Sequence, residues 1–155
     1  MRHRCRGFTL LELMIVMVLI GILMGMVSFA TGPNPGLQAR EQAQGLASII
    51  RQLREQAVLD GQQYGLRLSV DGYRALTLDV QTWTPISPFY RWPENLRLQL
   101  EVDGQFVDLG SDDGPPHLLM LSSDETSAFS LTFSSADTTW LNLSSDGIGE
   151  AVIDG

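Results

Sequence analysis

Glu12 is the one ionisable residue in the otherwise uncharged, mostly apolar run Phe8–Ala30, 23 residues long. A carboxylate in the hydrophobic part of a helix costs on the order of several kcal/mol unless something pairs with it. Two readings follow. In one, Glu12 snorkels or sits protonated near a membrane interface. In the other it meets a cation, and the residues just before it supply one. Arg2, Arg4 and Arg6 precede Gly7-Phe8. Cleavage after Gly7 would make Phe8 the first residue, with a free amino group, and Glu12 the fifth. That amino group and the carboxylate of a neighbouring copy can pair in a low-dielectric medium, packing one helix head-first against another.

The remaining reactive side chains form no such constellation. His3 lies in the leader, and His117 follows Pro115-Pro116 in a loop where a lone histidine is expected to be solvated. All ten basic residues are arginine, so no lysine serves as base or Schiff-base former. Cys5 is the only cysteine, in the leader and without a lipobox, so no thiol chemistry is expected of the remainder. Asp112 and Asp113 are adjacent carboxylates without the spaced ligands of a calcium loop, and a solvated loop is expected there. No His/Cys spacing of a metal site occurs. The sequence is not that of an enzyme, and it implies no cofactor, metal or small-molecule substrate.

The element that must carry Glu12 is a membrane helix. Phe8–Ala30 would be about 35 Å long at 1.5 Å per residue, enough to cross a hydrocarbon core of about 30 Å with some tilt. Three arginines precede the run and none follows until Arg40. The N-terminus is therefore expected in the cytoplasm, and the rest of the chain across the inner membrane. A secretory signal peptide cut after Ser28-Phe29-Ala30 is the rival reading; the position of Glu12 and the length of the run count against it. Loss of residues 1–7 leaves seven arginines against 18 carboxylates. So acidic a chain is not expected to bind nucleic acid.

Beyond the run, Thr31-Gly32-Pro33-Asn34-Pro35-Gly36 reads as a break or sharp kink, residues 31–36. A helical period returns over residues 37–60, where Ala39, Ala43, Leu46, Ile50, Leu53 and Ala57 recur at three- and four-residue steps. Gly61 suits its C-terminal cap. Residues 61–155 then read as an antiparallel, hairpin-rich domain. Asp71-Gly72 and Asp103-Gly104 each separate alternating runs, the pattern of a turn with positive φ at both positions. Phe129–Phe133 and Thr138–Leu143 form a third hairpin across Ser134–Asp137. Asp146-Gly147 leads into a run from Ile148 to Ile153, and Leu118–Leu121 is a short apolar strand. The aromatic segment Gln81–Pro93 is either a loop folded onto the domain or a partner-contact patch. The fold class is α+β.

Gly7-Phe8-Thr9-Leu10-Leu11-Glu12 with its apolar run resembles the N-terminal signal of type IV pilins and of the pseudopilins of type II secretion. The resemblance implies a pilin-like fold, cleavage by a prepilin peptidase between Gly7 and Phe8, methylation of Phe8, and a role for Glu12 in assembly. The stretch Leu53–Leu68 is similar to the helix-to-first-strand passage of H-type minor pseudopilins. Leu121-Ser122-Ser123-Asp124-Glu125 resembles that family's Leu-Ser-Ser-Gly-Glu segment, with Asp124 where glycine is usual. The implied role is in a periplasmic pseudopilus, linking a tip of I-, J- and K-type minor pseudopilins to a shaft of the major G-type. That filament helps to drive folded proteins through the outer-membrane secretin. A FimT-type minor pilin of a type IV pilus is the alternative, and a membrane-anchored periplasmic binding protein a second.

Overall fold

The computed structural model describes residues 10–30 and 34–155, with side chains described for 10–22 and 34–155. The chain divides into two units, one ending at Asn34 and the other running Pro35–Gly155.

In the first unit, α1 spans Leu10–Ala30, 21 residues. It forms because Leu, Met and Ile dominate and nothing interrupts the backbone ladder. Leu11, Met14, Ile15 and Val18 are exposed, as are the residues between them, so no polar face exists. Among the described residues no helix is long and apolar enough to cross a membrane. The sequence itself continues apolar through Ala30 within the same helix.

The second unit opens with α2, Pro35–Asp60. It begins two residues before the expected Leu37, so Pro35 and Gly36 belong to the helix and not to the break. Proline is tolerated in a first helical turn, where its missing N–H has no partner to lose, and Asn34 occupies the favoured N-cap position. Residues 31–33 of the expected break lie outside the described residues. The buried face of α2 is Ala39, Ala43, Leu46, Ile50, Leu53 and Ala57, the stripe read from the sequence. Gly61, at φ +65, ends the helix.

Ten strands follow, all paired antiparallel as the hairpin-rich reading expected, in two sheets. The first holds β1 (Tyr64–Leu68), β2 (Gly72–Asp79), β3 (Thr82–Pro85), β4 (Tyr90–Arg91) and β7 (Leu118–Met120), ordered β3-β2-β1-β7 with β4 also on β2. The second has the order β10-β9-β8-β5-β6. Its strands are β5 (Arg97–Val102), β6 (Gln105–Val107), β8 (Phe129–Ser134), β9 (Thr139–Ser145) and β10 (Val152–Asp154). One core joins them. Leu66 and Leu68 of β1, Leu118 and Met120 of β7, Leu100 of β5, Leu131 and Phe133 of β8 and Leu143 of β9 are essentially inaccessible to water. Each contributes roughly 1.5–3 kcal/mol of apolar burial.

The turns sort by backbone geometry. Asp103 (φ +50) and Gly104 (φ +78) join β5 to β6 as the sequence predicted. Asp71-Gly72 does not behave that way. Ser69 N donates to Gly72 O at 2.8 Å, the turn centres on Val70-Asp71, and neither Asp71 nor Gly72 has positive φ. Glycine serves close approach there, since a Cβ on residue 72 would lie 2.1 Å from the Tyr90 carbonyl oxygen. The segment Gln81–Pro93 is not all loop: it supplies β3 and β4. Its Trp92 is buried, donating from Nε1 to Ser69 O at 3.0 Å, tilted on Tyr73 (4.6 Å between centroids) and edge-on to Phe133 of the other sheet (6.3 Å). The run after Gly147 is strand only over β10, because Asp146 Oδ1 accepts from Ile148 N (3.0 Å) and Gly149 N (2.8 Å) and curls the chain first.

Candidate assembly site

Glu12 lies in the first turn of α1, where a carboxylate is favoured by the aligned peptide dipoles. It is the one ionisable residue of that helix, among side chains that expose Leu, Met, Ile and Val on every side. An all-apolar helix of this kind requires an apolar environment or other helices like itself. Gly7 and Phe8, the expected cleavage and methylation positions, lie outside the described residues.

In the second unit the charged groups act as fasteners. Arg54, on α2, donates from Nε to the Asp124 carbonyl (3.0 Å) and carboxylate (2.7 Å). Its Nη1 donates to Gly149 O at 2.8 Å and its Nη2 to Ile148 O at 2.5 Å. One guanidinium thus holds the helix to the Leu121–Thr126 turn and to the β9–β10 connection. Asp124 has φ +70, so the backbone there is the left-handed one that glycine favours. Glycine, usual in the segment that this stretch resembles, adopts that backbone without strain; the aspartate keeps the conformation and adds a contact to Arg54. Arg54 sits off the apolar stripe, so its periodicity did not point to this role; the unusual Asp124 was the available signal.

A second cluster lies on the β1–β2 face opposite the core. Arg67 and Arg74 are cross-strand partners. Arg67 donates to Ser111 O and Pro115 O, each at 2.9 Å, and Arg74 pairs with Asp112, donating from Nε to Oδ1 at 3.0 Å. Arg74 also covers the Phe89 ring at 5.4 Å. Pro116 sits over Gly65, where a Cβ would come within 2.3 Å of its ring. The Gly110–His117 segment is thus the solvated loop its composition suggested, with Gly110, Ser111, Asp113, Gly114 and Pro115 exposed, but it is pinned to the sheet through Arg67 and Arg74. His117 is half-buried, with Nε2 3.0 Å from Arg67 Nη1 and Nδ1 accepting from Leu68 N at 3.4 Å. Burial, then the Arg67 charge, hold its pKa below the ordinary value. No group of three or more metal-ligating side chains occurs among the described residues.

The grooves flanking α2 are shallow and mixed in chemistry. One of about 520 Å³ runs between the helix and the β9–β10 connection, past Ala47, Arg51, Arg54 and Ile148. Another, about 470 Å³, is lined by Ile49, Leu53, Tyr64, Tyr73 and Tyr90.

Residues 2–28 match the prokaryotic N-terminal methylation motif. Over 92% of its length the chain is 40% identical to the type II secretion system protein H of Pseudomonas aeruginosa, covering 91% of that protein. The chain belongs to the type II secretion system protein H family. The protein H of Aeromonas hydrophila is 27% identical, over 88% of this chain and 84% of its own. Among solved structures, the minor pseudopilin EpsH from the type II secretion system of Vibrio cholerae superposes with a TM-score of 0.65 at 23% identity, covering 76% of this chain and 96% of that one. The solution structure of GspH from Escherichia coli gives 0.62 at 22% identity, over 76% and 88% of the two chains. These likenesses establish the pilin-like α+β fold, and membership of the protein H family makes the chain a minor pseudopilin of type II secretion.

Proposed function

We propose that a prepilin peptidase cuts this minor pseudopilin after Gly7, that Phe8 is then methylated, and that residues 8–30 hold the product in the inner membrane. The N-terminus faces the cytoplasm and Pro35–Gly155 the periplasm. The chain then joins the I-, J- and K-type minor pseudopilins and the major G-type in the periplasmic pseudopilus, linking tip to shaft. Its contribution is structural. The observation that carries the reading is Glu12, a single carboxylate in the first turn of a helix that is otherwise apolar all round. Such a charge is stabilised by a partner cation, and the new amino group of Phe8 on a neighbouring subunit is one. The intact mass of the membrane-extracted chain tests the first half: a start at Phe8 with one added methyl group is expected, and a start at Met1 or Thr31 refutes it. Glu12→Ala tests the second. It is expected to be processed normally and to crosslink poorly into the filament, and normal incorporation would remove the pairing argument.

A further inference from the structure

The β2–β3 hairpin turns on Val80-Gln81, and Val80 has φ +55 and is 92% exposed. A β-branched residue in the left-handed region is an outlier, since its Cβ crowds the following carbonyl. Glycine or asparagine would make the same turn without strain. The fold therefore gains nothing from valine here: it buries no surface in this chain and strains the backbone. Such an outlier points toward function at that position.

The surroundings of Val80 name a surface. Tyr64 pairs with Thr77 across β1 and β2, and Leu78 N donates to Gln63 O at 2.9 Å. The hairpin tip thus stands at the pole where α2 ends. There Leu59 is 83% exposed and Val58 is also open to solvent. The same pole carries the carboxylates Asp60 and Asp79, and segments 58–64 and 76–84 contain no arginine. Apolar knobs flanked by two carboxylates fit a concave apolar surface bordered by arginine or lysine.

We propose that the Val80–Leu59 pole is a docking surface for a neighbouring pseudopilin that presents such a basic-rimmed apolar hollow. The inference rests on the assembly role proposed above. Val80 trades local backbone ease for an anchor that is buried only in the assembly.

The test uses the full-length chain, detergent-extracted after co-expression with epitope-tagged pseudopilins of one secretion system. Val80→Asn is expected to raise the melting temperature of the chain by relieving the turn. It should also lower co-purification of one tagged pseudopilin roughly tenfold or more, the effect of losing one interface anchor. Leu59→Ser leaves the turn alone and should weaken the same partner, so the reading does not depend on one variant's folding. Undiminished co-purification of both variants overturns the docking surface, and a melting temperature that falls for Val80→Asn overturns the strain argument. If the unaltered chain retains none of the tagged pseudopilins, the assembly role itself fails, and the pole falls with it.

Discussion

Removing the Arg54 guanidinium while keeping its stem, as in Arg54→Met, separates two accounts of what holds α2 to its loops. Arg54 makes one ion pair and reaches three main-chain carbonyls. Its side chain is 15% exposed and that of Asp124 is 63% exposed. A pair with so open a carboxylate contributes about 0–1 kcal/mol. Hydrogen bonds from a charged donor contribute about 1.5–3 kcal/mol each, but bonds that share a donor do not add and the freed carbonyls recover some water. Arg54→Met should therefore cost about 2–4 kcal/mol, roughly 4–16 °C in melting temperature for a chain of this size. Asp124→Gly loses only the pair. The glycine relieves a φ of +70, worth about 1 kcal/mol, and loses a similar amount through the freedom it adds to the unfolded chain. That variant should lie within about 1 kcal/mol of the parent. The assay is near-ultraviolet circular dichroism of the whole chain in detergent, with amide hydrogen exchange read at residues 146–149. If Asp124→Gly costs as much as Arg54→Met, the ion pair and not the carbonyl set is the fastener, and the reasoning fails.

Two further outcomes follow from packing and from charge. Gly72→Ala drives a Cβ against the Tyr90 carbonyl, which cannot yield without parting β4 from β2, so a loss of about 1–3 kcal/mol is expected by denaturant melts; an unchanged midpoint would deny the close approach. His117 has a folded pKa below its ordinary 6.5, so below that pH the unfolded chain binds more protons than the folded one. Stability should fall as pH drops through about 6.5 and stop falling below the folded pKa. His117→Gln should flatten that part of the melting-temperature profile, and superimposable profiles for the two chains would refute the assignment.

What was legible in the sequence was set by neighbours close along the chain. The α2 stripe was readable because each of its six residues is small or apolar and one face suffices to bury them. Asp103-Gly104 was readable because two adjacent positive φ values leave few residue choices. Asp71-Gly72 carries the same dipeptide for a different reason, a backbone passing close by, and only the position of Tyr90 reveals it. The two sheets were hidden because pairing between β1 and β7, or β5 and β8, depends on partners far along the chain. The roles of Arg54, Arg67 and His117 were hidden likewise: their partners lie some 44 to 95 residues away.

The path of the chain through its sheets bears on how the protein is made. The first sheet receives β1 to β4, the chain leaves to lay β5 and β6 into the second, returns with β7 to complete the first, and ends with β8 to β10 in the second. Neither sheet is encoded by one continuous stretch. A nascent chain that has emerged only as far as β6 holds two unfinished sheets with unpaired edges, and β5 has no β8 to lie against. Neither sheet can close until β7 and β8 have been made, so the shared core forms late in the chain, after more than three quarters of its residues are in place.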